Sequence, residues 1–399
     1  MPTETLPLQN VRVLDLSRVL AGPYCTMMLG DLGAEVIKVE RPGLGDDTRQ
    51  WGPPFAAGES AYYLCCNRNK RSLTLNLKSD AGRAIAAQLA ERCDVLVENF
   101  LPGTLDGWGL SCEALSKRNP RLIYCSITGF GQTGPRRDEP GYDIMIQAQA
   151  GVMSITGETD GPPMKVGVAI SDITSGIFAC NAILAALYAR ERTGKGDRID
   201  IALFDSTIAW LANVGSNYLV SGGVPQRQGT EHPNIVPYQA FAAADQSLII
   251  AVGNDGQYMK FCECLGRDDL AGDPRFKTNA LRVQNRKALV PAVAAEVAAR
   301  PAAEWLEKLE QAGIPCGPVN SIDQVFADPQ TTAREMLIEV SHPTIGPLKL
   351  AGSPLKLASL NQPPRRPPPL LGEHTDEVLA SVLNLSAGEI AHLRESGVV

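Results

Sequence analysis

Six short runs of β-branched and aliphatic residues punctuate the first half of the chain: VRVLDL (11–16), EVIKVE (35–40), SLTLNL (72–77), DVLVENF (94–100), LIYCSITGF (122–130) and DRIDIAL (197–203). Several are separated by stretches whose apolar positions recur at three and four, clearest in DAGRAIAAQLAERC (80–93). Strand-length runs alternating with helical periodicity predict βαβ units and a mostly parallel sheet with right-handed crossovers, an α/β class. From Tyr238 the texture changes: two consecutive strand patterns, YQAFAA and SLIIAVG, precede helical stretches at 257–266, 282–300 and 302–313. That order predicts a smaller α+β unit. Near the end, QPPRRPPPLLGEHTDEVL must run extended before a last short helix.

Composition narrows the classes. The 399 residues carry 37 Lys+Arg against 44 Asp+Glu, a formal charge of −7, with 44% hydrophobic residues. This is the balance of a globular protein and argues against a nucleic-acid binder, which is usually basic overall. The longest uncharged stretch, Ser206 to Gln226, is interrupted by Asn213, Gly215, Ser216, Asn217, Gly222 and Gly223. It reads as a buried helix and its exit rather than a membrane span, so no membrane partner is expected. MPTETLPLQN has no basic segment leading into an apolar one, which makes a cytoplasmic location the default expectation. Ten cysteines without any C-x-x-C spacing suggest reduced, mostly buried thiols, and four isolated histidines suggest no metal site.

Gly129-Phe-Gly131-Gln-Thr-Gly134 matches a dinucleotide fingerprint and follows a strand. The next residues, Pro135 to Gly141, are unsuited to start the helix whose N-terminus a pyrophosphate needs, so a flexible loop is expected. Thr193-Gly194-Lys195-Gly196 has Gly where a phosphate loop needs Ser or Thr, and reads as a helix stop. No G-x-S-x-G elbow supports a serine hydrolase. Asp172 has the most suggestive setting of any carboxylate, with apolar residues upstream and no charge after it until Arg190. It reads either as the N-cap of the following helix or as a poorly solvated nucleophile, and the two are compatible. Arg41, the run Asn67 to Arg71, and Lys78 place cations at strand ends, as solvated surface or as ligand contacts. Trp51, Tyr142 and Asn99 sit in loops or at a strand end, where packing and substrate contact are both open.

Together, LSRVLAGP (16–23), GDLGAEVIKVERPGLGD (30–46), NRNKRSL (67–73), DVLVENFLPG (94–103), GYDIMIQAQAG (141–151), SDITSG (171–176), GIPCGPV (313–319) and LLGEHTDEVL (370–379) resemble the class III coenzyme A transferases (the CaiB/BaiF, formyl-CoA transferase-like family). The segment RQGTEHPNIVPYQAF (227–241) is most similar to the succinyl-CoA:dicarboxylate members. The resemblance implies a large Rossmann-like domain with a parallel sheet, formed by 1–205 and a return at 341–399, and a small α+β domain at 231–325. Linkers fall at 206–230 and 326–340, and the ring-shaped chain forms an interlocked homodimer.

The resemblance places the catalytic aspartate at Asp172. CoA contacts fall at Val19, Leu20, Ala21, Arg41, Leu75, Lys78, Asn99, Phe100, Leu101 and Tyr142, and Trp51 lies by the acceptor. Gly107 falls where formyl-CoA transferase has a CoA-contacting arginine. The implied activity is CoA transfer from succinyl-CoA to a dicarboxylate such as glutarate, through an aspartyl-acyl anhydride and an aspartyl-CoA thioester. CoA thioesters are then substrates and no cofactor is tightly bound. Arg227 and His232 are candidates for the acceptor's second carboxylate, with Arg49 as a further cation. The other readings are an α-methylacyl-CoA racemase of the same fold, which would carry histidine where Tyr142 stands, and a non-catalytic acyl-CoA-binding protein. Backbone N–H groups of loop 129–134 are candidates to stabilise the reaction's oxyanions.

Overall fold

A computed structural model describes residues 6–358 and 365–399; the beginning of the N-terminal segment and residues 362–364 of the Pro-rich tail lie outside that range. The chain forms two units, one from residues up to Ala150, Gly167–Trp210 and Pro329–Val399, the other from Gly151–Val166 and Leu211–Asp328.

In the first unit, β1 (Arg12–Asp15), β2 (Glu35–Glu40), β3 (Lys70–Thr74), β4 (Val95–Glu98), β5 (Ile123–Thr128) and β6 (Arg198–Ala202) form one sheet. Every pair is parallel and the spatial order is β3-β2-β1-β4-β5-β6. Alternate residues of each strand enter opposite cores. Val13, Val36, Val95 and Val97 face the core that packs α1 (Ala21–Asp31), while Leu14, Ile37 and Leu96 face the core that packs α2 (Asp80–Glu91). Burial on both faces explains the apolar, β-branched character of the central strands β1, β4 and β5. The order reverses between β1 and β4, so the segments after these two strands diverge and leave a crevice at their carboxyl ends. The later part of the first unit returns to the outer strand β3. Arg366 exchanges two hydrogen bonds with Asn69, Gly372 N–H donates to Ser72 Oγ at 2.8 Å, and His374 N–H donates to the Ser72 carbonyl.

The second unit contains a small antiparallel sheet of β7 (Tyr238–Ala242), β8 (Ser247–Ala251) and β9 (Cys316–Pro318) in the order β9-β8-β7. Phe241, Leu248, Ile250, Phe261 and Trp305 lie in its core. Two expectations change here. Residues 151–166, expected in the first domain, group with the second unit. The stretch expected to be a linker at 206–230 continues as helix, Leu203–Trp210 and then Ala212–Ser221, and the latter buries none of its residues.

The run Asn67 to Arg71 is neither solvated surface nor ligand contact. Arg68 lies on Asp31, Arg71 on Glu377 and Glu35, and the fully buried Lys70 on Asp15 at 3.1 Å. A second buried pair, Lys38 Nζ with Asp46 at 2.9 Å, joins this charged layer. Asp46 also accepts hydrogen bonds from the N–H groups of Val19 and Thr48, and Lys38 donates to the Ser17 carbonyl. Burial opposes ionisation of Asp46, but the Lys38 charge together with the hydrogen bonds from Lys38 and Thr48 outweighs it and holds the carboxyl down at about 2. The folded-state value lies below the ordinary one, so the pair's stabilisation is complete above about pH 4 and is lost as the pH falls through 2.

Lys38→Met leaves Asp46 buried without its cation and is expected to cost about 3–5 kcal/mol in urea unfolding. The double variant Lys38→Met/Asp46→Leu should recover much of that stability while losing activity, because Val19 loses its tether. A single variant as stable as the parent would contradict the expectation.

Candidate active site

Two cavities open at the crevice, and among the described residues only Arg18 and Phe100 border both. The first, about 280 Å³, is bordered by Val19, Leu20, Ala21, Trp51, Asn99, Leu101, Tyr142 and Asp172. The second, about 490 Å³, is bordered by Arg41, Leu75, Lys78 and Trp108. Every CoA-contact position expected from the sequence lies on one cavity or the other. Gly107 is outside both, at the end of a short helix with open space around it. Asn99 explains how the crevice is held: its side chain accepts from Arg18 N–H at 2.8 Å and donates to the Arg18 carbonyl at 2.7 Å, joining the segments after β1 and β4.

Asp172 is the third residue of the helix Ile170–Thr193, called α4 here after α3 (Asp143–Gln149). It is not the N-cap. Ala169 occupies that position without a side-chain hydrogen bond, and Asp143 Oδ1 accepts from the N–H of Ser171 at 2.8 Å and of Asp172 at 3.4 Å. Asp143 therefore does the capping from a neighbouring helix, and its charge suits that N-terminus. Gly176 lets α4 approach α1: a Cβ there would lie 2.6 Å from the Ala21 carbonyl oxygen. This contact sets Asp172 against the N-terminus of α1, where Leu20 caps without a side-chain hydrogen bond. By length and composition α4 could cross a membrane, but it packs on α1 and contributes Ala179, Ile183 and Leu187 to the core.

Burial, and secondarily the nearby Asp143 carboxylate, push Asp172 up to about 7. Among the described residues, no lysine, arginine or histidine pairs with it. Tyr62, absent from the sequence reading, packs edge-on against Trp51 at 5.2 Å between ring centres. Its phenol is pushed up to about 12 by burial and then by Asp172, which places it in the electrostatic field of that carboxylate. Nothing in the local sequence AYYL marks it.

Other expectations are redistributed. In loop 129–134 only Gly129 borders the Asp172 cavity. Gly131 N–H is spent on Thr128 and Gln132 N–H on Asp200, so those amides are not free for an oxyanion. Arg49 is locked on Glu40 and Glu59 and borders neither cavity. Arg227 and His232 belong to the second unit. Arg227 donates to the carbonyls of Glu158 and Gly161, and the His232 ring lies 5.1 Å from that of Tyr238 and accepts from Asn234 N–H. Burial, then the Arg286 charge, lower the imidazole below its ordinary value, so it is mainly neutral at pH 7.

The family model for CoA-transferase family III matches residues 8–375. The chain is 49% identical to the mouse (Mus musculus) succinyl-CoA:glutarate CoA-transferase over 393 residues, covering 98% of this chain and 90% of the relative. It is 46% identical to the succinate–glutarate CoA-transferase of Agrobacterium fabrum, covering 96% and 97%. Among solved structures, a CAIB/BAIF family protein from Brucella suis superposes with a TM-score of 0.83 at 45% identity, covering 94% of this chain and 99% of that one. The match spans the sheet, the cavity at Asp172 and the helix that carries it: the chain belongs to CoA-transferase family III.

Proposed function

We propose that the protein moves CoA from succinyl-CoA to a dicarboxylate of the glutarate class, with Asp172 as the covalent carrier. The observation that carries this reading is a carboxylate without a cation, set at the apposed N-termini of α1 and α4. It borders a cavity whose neighbour presents Arg41 and Lys78. The thioester end of the substrate would lie by Asp172 and the nucleotide end by the two cations. The relatives named above supply the donor and acceptor in this proposal.

The steps balance without metal or redox chemistry. An Asp172 oxygen attacks the donor thioester carbon, the C–S bond breaks, and CoA leaves as thiolate from a mixed anhydride. The thiolate attacks the aspartyl carbon of that anhydride, releasing succinate and leaving aspartyl-CoA. The acceptor carboxylate then displaces CoA thiolate to form a second anhydride. Attack of the thiolate on the acceptor's acyl carbon gives the product and regenerates the carboxylate. Each step converts one activated acyl group into another, so the exchange is near thermoneutral. The N-terminus of α1, which borders the cavity at Leu20 and Ala21 and has no side-chain cap, favours the anionic intermediates. Among the described residues no histidine borders the cavity, and Tyr142 stands where a racemase would carry one, which disfavours the two-base epimerisation of a racemase.

The proposal extends to the assembly: the second unit serves as the small domain, each chain closes as a ring, and two rings interlock in the cytoplasm without a tightly bound cofactor. Exposed apolar side chains support a second copy, with Ile177, Phe178 and Tyr188 along α4 and Tyr218, Leu219 and Val220 on the helix 212–221.

Asp172→Ala is expected to lower transfer about a thousandfold or more while CoA still binds, and hydroxylamine should trap one aspartyl residue in the parent. Because the nucleophile must be ionised and its value is raised to about 7, kcat/KM should rise with pH, bend near 7 and level above it. Asp143→Asn removes the neighbouring charge and should move the bend to lower pH. Substantial transfer by the alanine variant would remove the covalent role.

Arg227→Ala or His232→Ala is expected to raise KM for glutarate more than for acetate, because only the dicarboxylate would lose a partner for its second charge. Equal effects would place both residues in the loop's packing alone. For the assembly, light scattering across a dilution series should show a dimer that separates only on denaturation. A folded, active monomer would contradict interlocking.

A further inference from the structure

The two cavities meet at Arg18. Its guanidinium lies 5.4 Å from the centre of the Phe100 ring, the other residue common to both. Arg18 Nη1 contacts Asp47 Oδ2 at 3.3 Å, and the second oxygen of the same carboxylate takes Arg41 Nη2 at 2.7 Å. One carboxylate is thus shared by two arginines, Arg18 on both cavities and Arg41 on the second. All three side chains are 38–48% exposed. Arg18 Nε is buried and has no hydrogen-bond partner among the described residues. Pairs this exposed contribute little to stability and exchange readily.

A CoA thioester has its acyl group at one end, its nucleotide at the other, and a diphosphate between the pantetheine arm and the ribose. With the thioester at Asp172 and the nucleotide by Lys78, the joint between the cavities is where that diphosphate must pass. We propose that Arg18 binds the CoA diphosphate together with Arg41, and that Asp47 is an exchangeable carboxylate which holds both arginines until the diphosphate displaces it. The exchange replaces one negative charge by two. It also offers the planar guanidinium groups a bidentate acceptor. Phe100 keeps the Arg18 head aimed at the joint in either state. The inference rests on the CoA-transfer reading, whose failure has its own signature below.

The test is titration calorimetry of the full-length protein with CoA, 3′-dephospho-CoA and pantetheine, using the parent, Arg18→Ala, Arg18→Lys and Asp47→Asn. Arg18→Ala should weaken CoA and 3′-dephospho-CoA alike, by about tenfold or more, and leave pantetheine unchanged. Arg18→Lys should recover part of the loss, and Asp47→Asn should tighten both diphosphate ligands. Equal weakening of all three ligands would make Arg18 a structural residue and overturn the proposal. Weakening of CoA alone would assign Arg18 to the 3′-phosphate, and no weakening would remove it from the site; either result also overturns the diphosphate role. A parent protein that binds none of the three would instead refute the CoA reading itself.

Discussion

The Lys38–Asp46 ion pair, sealed beneath the crevice, is the constraint on which the site depends. Removing two charges from water costs several kcal/mol each, and their attraction only roughly repays that cost. Its main consequence here is therefore geometric. Asp46 tethers Val19 N–H, Lys38 tethers the Ser17 carbonyl, and between them the backbone turns so sharply that Val19 sits at φ 69°, a left-handed conformation costly for a β-branched residue. That turn delivers Leu20 and Ala21 to the cavity as the start of α1, and Gly176 then lets Asp172 approach the same point. A chain free to relax at Val19 would lose the alignment before it lost the fold.

Two carboxylates in one unit show how burial acts in opposite directions according to company. Asp46 is withdrawn from water beside a lysine and stays ionised to about pH 2; Asp172 faces another carboxylate and no cation, and rises to about 7. The first arrangement makes a fixed strut. The second gives a carboxylate whose negative form is poorly stabilised and hence reactive. The separation between structural and chemical acids is thus set by which side chains surround each, within a single layer at the ends of the strands.

Much of this was legible because strands buried on both faces are apolar and β-branched, so β1, β2, β4 and β5 announce themselves locally. The poor solvation of Asp172 was legible in its isolation among uncharged neighbours. The basic run 67–71 was misread because its partners, Asp15, Asp31 and Glu377, lie far away in sequence, and no local pattern tells a paired buried cation from a solvated one. Asp143 was missed as the cap of α4 because it reaches that helix from 29 positions upstream, outside any capping spacing. Tyr62 carries no motif, and within LSRVLAGP nothing singles out Arg18; their importance comes from what the crevice and the Trp51 ring place beside them. The helix 212–221 was expected to be buried because it is apolar, which reports that a surface needs covering without naming what covers it.

The return of the chain to β3 bears on how the first unit can be made. Ser72 finds its hydrogen-bond partner 300 positions later, at Gly372, and the last turn before the helix Thr375–Leu383 closes over the same strand. During synthesis the outer edge of the sheet therefore waits, with its backbone groups unpaired, while the whole second unit is translated and is free to fold first. An exposed parallel edge is a template for stray pairing, and contacts this distant in sequence form slowly. The ionic residues Arg68, Lys70 and Arg71, crowded onto that one strand and its approach, are charged gatekeepers on the nascent chain before they become buried partners in the finished one.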